Sequence, residues 1–76
     1  MNRARRTTLK KALKYLDFAA DLIREAKDDE QLCLDNLPEN LQDSERSETM
    51  ERAIESLEDA IDRIYDAKES IDCAAA

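Results

Sequence analysis

The chain has 76 residues, of which 42% are apolar and 41% charged, and its formal net charge is −7. It contains no Gly and no His, so it lacks the residues for a Gly-rich phosphate loop, a Gly-x-Ser-x-Gly nucleophile elbow or an imidazole metal site. The composition disfavours most enzyme classes and predicts one small, non-enzymatic domain without a cofactor.

The first fourteen residues carry six basic side chains and no acidic one: Arg3, Arg5, Arg6, Lys10, Lys11 and Lys14. One interpretation is phosphate contacts through Arg3, Arg5, Arg6, Lys10 and Lys11. The other is structural pairing with acidic residues near the end of the chain, namely Asp62, Asp66, Glu69 and Asp72. We favour structural pairing, because the net charge of the chain repels nucleic acid.

No apolar stretch of signal-peptide length follows this basic start, since Lys10, Lys14 and Asp17 interrupt it. No apolar run is long enough to cross a membrane. The sequence therefore predicts a cytoplasmic protein without membrane contact.

Both halves of the chain repeat apolar residues with a period of seven, which predicts two helices packed as a coiled coil. In the first half, row a holds Leu9, Leu16 and Ile23, and row d holds Ala12, Ala19, Ala26 and Cys33. In the second half, row a holds Met50, Leu57, Ile64 and Ile71, and row d holds Ala53, Ala60, Ala67 and Ala74. The expected fold is all-α, an antiparallel two-helix hairpin with an alanine-rich seam.

The connector is expected at 36–43, between a helix at about 4–35 and a helix at about 44–73. Asn36 is expected to take the left-handed conformation just past the first helix. Pro38 prevents that helix from continuing.

The second helix is expected to begin at a capping side chain, either Asp43 or Ser44. Leu37 and Leu41 are expected to close the end of the hairpin.

The two cysteines, Cys33 and Cys73, lie far apart in such a hairpin. Their separation is roughly 39 Å along the helices at about 1.5 Å per residue. A disulfide requires Cα atoms within about 7 Å, so both are predicted to be free thiols, as in a reducing compartment.

An alanine-rich seam buries little apolar area, so a lone hairpin is expected to need a further contact. A row beside the seam is rich in aliphatic residues and consists of Leu13, Ala20, Leu34, Ile54 and Ile61, with Tyr65 at its edge. We expect this row to mediate self-association of two chains into a homodimer, whose four helices form a four-helix bundle. The alternative is a groove for a helix of a different protein.

A smaller apolar patch, Tyr15, Phe18 and Leu22, lies at i, i+3, i+7 spacing on the first helix. It is interpreted as further bundle core, with a site for an unidentified protein partner as the alternative.

Acidic residues of the second helix are interpreted as a solvated face: Glu51, Glu55, Glu58, Asp59, Asp62 and Asp66. No metal site is expected, because metal-binding carboxylates of helical bundles project inward and usually include His. The one acidic residue in row a, Glu30, is expected to pair with Arg46 or Arg52.

The connector carries a resemblance to a known group of proteins. The residues are Asp28-Asp29-Glu30-Gln31, Asp35-Asn36-Leu37-Pro38-Glu39-Asn40-Leu41-Gln42 and Ser44-Glu45-Arg46. Over roughly residues 25–62 the chain resembles uncharacterised small acidic helical-hairpin proteins of gram-positive gut bacteria and their prophages. The resemblance implies a hairpin fold and a phage-related setting, and it implies no catalytic residues.

The sequence thus favours a self-associating hairpin that acts by protein–protein contacts, as an adaptor or regulator. The alternative is a nucleic-acid accessory protein that uses the basic N-terminal turn.

Overall fold

The computed structural model describes all 76 residues, Met1–Ala76, and consists of two long helices that pack against each other. Helix α1 spans Arg3–Asp35 and helix α2 spans Glu45–Ala75, with a 3₁₀ turn, Glu39–Leu41, between them. The helices form an antiparallel hairpin with extents of 59 × 15 × 11 Å. The all-helical hairpin predicted from the seven-residue period is confirmed.

Each helix begins at a side chain that accepts a hydrogen bond from the first turn. The Asn2 Oδ1 atom accepts from the Arg5 N–H at 2.8 Å, and the Ser44 Oγ atom accepts from the Ser47 N–H at 3.3 Å. Such caps satisfy N–H groups that have no partner inside the helix. Ser44, rather than Asp43, therefore caps α2.

The connector differs from the prediction at Asn36. Its φ angle is −97°, and no residue of the chain has a positive φ, so the expected left-handed conformation is wrong. A left-handed residue is unfavourable without Gly, and here the Asn36 N–H instead donates to the Leu32 carbonyl at 3.0 Å. Leu37 is buried and Leu41 half-buried, as expected of residues that close this end.

The buried face of each helix contains row a, and row d lies at its edge or outside it. A run of buried and half-buried residues in steps of four and three extends along each helix, and we name the positions of this run the seam. In α1 the seam is Leu9, Leu13, Leu16, Ala20, Ile23, Lys27, Glu30 and Leu34. In α2 it is Ser47, Met50, Ile54, Leu57, Ile61, Ile64, Lys68, Ile71 and Ala75.

Row d lies beside the seam, so the prediction of an alanine-rich seam is wrong. Its members Ala26, Cys33, Ala67 and Ala74 are exposed, and its other four are half-buried. Rows a and d together fit a heptad pattern. Row a fits one equally well with the aliphatic row, the row of Leu13, Ala20, Leu34, Ile54 and Ile61, because the residues of either pair of rows are spaced by three and four positions. Side-chain size decides between them, since burying an Ile or Leu stabilises by about 1.5–3 kcal/mol and an Ala methyl by less.

Two further findings concern the chain as a whole. Neither helix combines the length and the hydropathy that a membrane crossing requires. Cys33 and Cys73 are free thiols at exposed positions, as predicted.

Candidate interaction surface

The row predicted to mediate self-association lies inside the hairpin. Ala20, Ile54 and Ile61 are buried, and Leu13 and Leu34 are half-buried, because all five belong to the seam. The expectation that they form an exposed docking face is therefore wrong. The aliphatic row is itself the contact between the two helices, so it needs no second molecule to cover it.

Tyr65, at the edge of that row, connects the two helices on one side of the seam. Its ring is partly exposed, and its hydroxyl accepts a hydrogen bond from the Arg24 guanidinium, whose Cζ lies 5.9 Å from the ring centroid. The Lys68 Nζ lies 5.4 Å from the same centroid and forms an ion pair with Asp17. Tyr65 thus contributes to the hairpin through cation–π and hydrogen-bond contacts.

The hydrogen bond between Asp17 and Lys68 raises the pKa of the lysine above its ordinary value. Partial desolvation opposes this effect, and the charges of Asp17, Tyr65 and Asp72 add to it. Because the pKa is higher in the folded chain than in the unfolded one, the contact stabilises the fold at neutral pH. Its contribution is lost as the pH rises through the raised pKa.

The apolar patch of α1 faces away from α2. Tyr15, Phe18 and Leu22 are 73%, 64% and 51% exposed, and nothing in the chain covers them. Both interpretations of these residues, core of a larger bundle and site for another protein, require a second molecule. We name these three residues the α1 patch and take it as the candidate interaction surface.

The basic N-terminal turn makes no ion pair with α2. The three salt bridges of the structure are Arg24–Asp21, Lys27–Asp28 and Lys68–Asp17, and none involves the six basic residues of positions 1–14. The expected pairing with Asp62, Asp66, Glu69 and Asp72 is therefore not formed. Exposed ion pairs gain little in water, so these long side chains stay solvated.

The pairing expected for Glu30 is also absent. The residue is half-buried in the seam but forms no salt bridge with Arg46 or Arg52. The Arg52 Nη2 atom instead donates to the Thr49 Oγ1 atom, 3.4 Å away on the same helix. A contact with the short Thr49 side chain orders fewer side-chain bonds than a contact with Glu30 would.

The acidic residues of α2 are exposed, as their interpretation as a solvated face requires: Glu51, Glu55, Glu58, Asp59, Asp62 and Asp66. No group of three or more acidic or Cys residues is placed to hold a metal ion.

The surface has two depressions, with volumes of about 260 and 250 Å³. They are lined by Ser56, Asp59, Ala60 and Arg63 and by Met1, Arg5, Thr8 and Leu9. Both are open to solvent, unlike the enclosed pockets that bury a small ligand.

No family model, curated protein sequence or solved structure matches the chain. The fold and its surface define a two-helix hairpin with a mostly aliphatic seam and an exposed apolar patch at the middle of α1.

Proposed function

We propose that this chain is a non-enzymatic helical hairpin that self-associates and acts through protein–protein contacts. The observation that carries the proposal is the exposure of Tyr15, Phe18 and Leu22 side by side on α1. Neighbouring large apolar side chains on a surface mark interaction sites, because water disfavours their exposure. The seam supports this proposal, since packing against α2 stabilises the continuous 33-residue helix that carries the patch.

The setting forms part of the same proposal. Free thiols at Cys33 and Cys73 are typical of a reducing compartment, which supports the cytoplasm as the location. The resemblance of the connector supports a phage-related adaptor or regulator, which would act by bringing proteins together rather than by chemistry.

Self-association is tested by multi-angle light scattering of the full chain over a range of concentrations, with circular dichroism to show that it is helical. We expect a mass above the 8.7 kDa of one chain that rises with concentration. A helical chain that stays at the mass of a monomer throughout would contradict the proposal.

A second candidate function is supported by the six unpaired basic residues in the first fourteen, which leave their charge available to phosphates. In this function Arg3, Arg5, Arg6, Lys10 and Lys11 contact nucleic acid. A gel shift with DNA and RNA at low salt separates the two candidates, and the first predicts no shifted band.

A further inference from the structure

The α1 patch is the centre of a longer exposed row on the side of α1 opposite the seam. This outer row consists of Lys11, Tyr15, Phe18, Leu22, Glu25 and Asp29. All six residues are exposed, and they follow one another in steps of four and three, as the seam residues do. Such spacing keeps the side chains on one face of a helix, so the row can pack against a second helix along its length.

We propose that the outer row packs antiparallel against the outer row of a second copy of this chain. The inference rests on the proposed function and adds which face associates and in which direction. In the resulting assembly of four helices, the two α1 helices lie at the centre and each α2 lies on the outside.

The position of the patch on its helix favours a second copy as the occupant. Helix α1 spans Arg3–Asp35, so its midpoint is residue 19, and the patch at 15–22 is centred within one residue of that point. A two-fold axis near Ala19 therefore aligns two α1 helices over their full length, with patch against patch. A two-fold contact requires this kind of self-complementary surface.

The charges beside the patch favour the antiparallel direction. Lys11 precedes the patch, and Glu25 and Asp29 follow it. An antiparallel pair places Lys11 of each copy opposite Glu25 and Asp29 of the other copy, and the two-fold axis repeats this contact. A parallel pair would instead place the basic first fourteen residues of both copies side by side.

The charges of the whole hairpin also differ between its connector end and its opposite end. Residues 25–55, toward the connector, contain eleven acidic and three basic side chains. The remaining residues contain eight acidic and nine basic side chains. Antiparallel association therefore places the acidic end of each copy beside the less acidic end of the other.

The area of the patch indicates a weak dimer. Two aromatic rings and one Leu at these exposures offer on the order of 350 Å² per copy. Two copies together bring about 700 Å², and the flanking residues of the row extend this toward the roughly 1,000 Å² at which specific interfaces begin. Association should therefore depend on protein concentration.

The test combines sedimentation equilibrium with cross-linking of full-length chains by a short bis-maleimide. One variant carries Ala19→Cys together with Cys33→Ser and Cys73→Ser, and its thiols are expected within about 10 Å of each other across the helix pair. The matched control carries only Cys73→Ser. Its two Cys33 thiols should lie roughly 42 Å apart along the antiparallel helices.

A dimer that cross-links through residue 19 and not through residue 33 supports the inference. A dimer that fails to cross-link at residue 19, or that cross-links at residue 33, overturns it while self-association stands. A chain that remains monomeric overturns both the inference and the proposed function.

A third variant, Phe18→Ser, removes the centre of the patch. Because the side chain is exposed in the hairpin, we expect unchanged helical circular dichroism and a dimer dissociation constant raised about tenfold or more. An unchanged dissociation constant in a helical variant overturns the inference.

Discussion

The inner and outer faces of α1 share one spacing of residues and differ in their surroundings. On the inner face Leu13 and Ala20 are covered by α2, whereas on the outer face Tyr15 and Phe18 are exposed. The spacing determines which side chains share a face. The spacing does not determine which face is buried, because burial depends on which apolar side chains the facing helix carries.

Helix α2 offers a single aliphatic face. Ile54, Leu57, Ile61 and Ile64 lie on its seam side, while the acidic residues between them lie on its outer side. A helix with two apolar faces, α1, is thus paired with a helix that has one. One apolar face of α1 is left without a partner inside the chain, and this imbalance is the physical basis of the proposed self-association.

The largest effect is expected for truncation of the seam at Ile61 of α2, in contrast to truncation of the outer face of α1. Ile61 is 7% exposed, so Ile61→Ala should lower the free energy of unfolding by about 2–4 kcal/mol. Phe18→Ala on the outer face should change it by less than about 1 kcal/mol. Urea unfolding followed by circular dichroism, at concentrations low enough for monomer, measures both, and equal losses would contradict the contrast between a buried seam and an exposed outer face of α1.

A matched pair of substitutions on one helix tests the position of the seam. Ala20 is buried and Ala26 is exposed, so Ala20→Leu should overpack the seam and destabilise by about 1–3 kcal/mol. Ala26→Leu should change the free energy of unfolding by less than about 0.5 kcal/mol. If Ala26→Leu were the more damaging substitution, row d would be the seam after all.

A charge exchange tests the direction in which two outer rows meet. Lys11→Glu in one chain, or Glu25→Lys with Asp29→Lys in another, should each weaken self-association about fivefold, because like charges then face each other. Mixing the two variants should restore it, since every contact in the mixed dimer joins opposite charges. Sedimentation equilibrium at low salt measures this, and a mixture no tighter than its components would argue against the antiparallel arrangement.

The smallest effect concerns the Asp17–Lys68 contact beside the seam. Asp17→Asn should lower the thermal midpoint slightly at pH 8, because the contact raises the pKa of Lys68 and stabilises the folded chain below that pKa. The difference from the unsubstituted chain should disappear as the pH rises through the raised pKa of Lys68, where the lysine loses its proton. Thermal unfolding from pH 8 to high pH measures it, and a difference that stays constant would show that the charge of Lys68 is not involved.

Much of the hairpin could be predicted from local sequence signals. The seven-residue period indicated both helices, Pro38 and its neighbours indicated the connector, and Ser44 was one of two expected caps. These features depend on residues close together in the chain. Local physical chemistry is therefore enough to predict them.

The register of the seam could not be predicted from the period alone. Rows a and d and the row containing Leu13 and Ile61 are spaced alike, so only the size of the buried side chains separated the two choices. Weighting each row by its side-chain volume would have selected the aliphatic row. The ion pairs could not be predicted for a different reason. Long exposed side chains have many possible partners of nearly equal energy. The ion pair that joins the two helices is Asp17–Lys68, which the sequence did not single out.

The dependence of the thermal midpoint on chain concentration reports self-association, because association with a second copy stabilises the folded chain by mass action. The unsubstituted chain should unfold at a higher temperature as its concentration increases, and Phe18→Ser should show a smaller rise over the same concentrations. A midpoint independent of concentration for the unsubstituted chain, or an equal rise for Phe18→Ser, would contradict association through the outer face of α1.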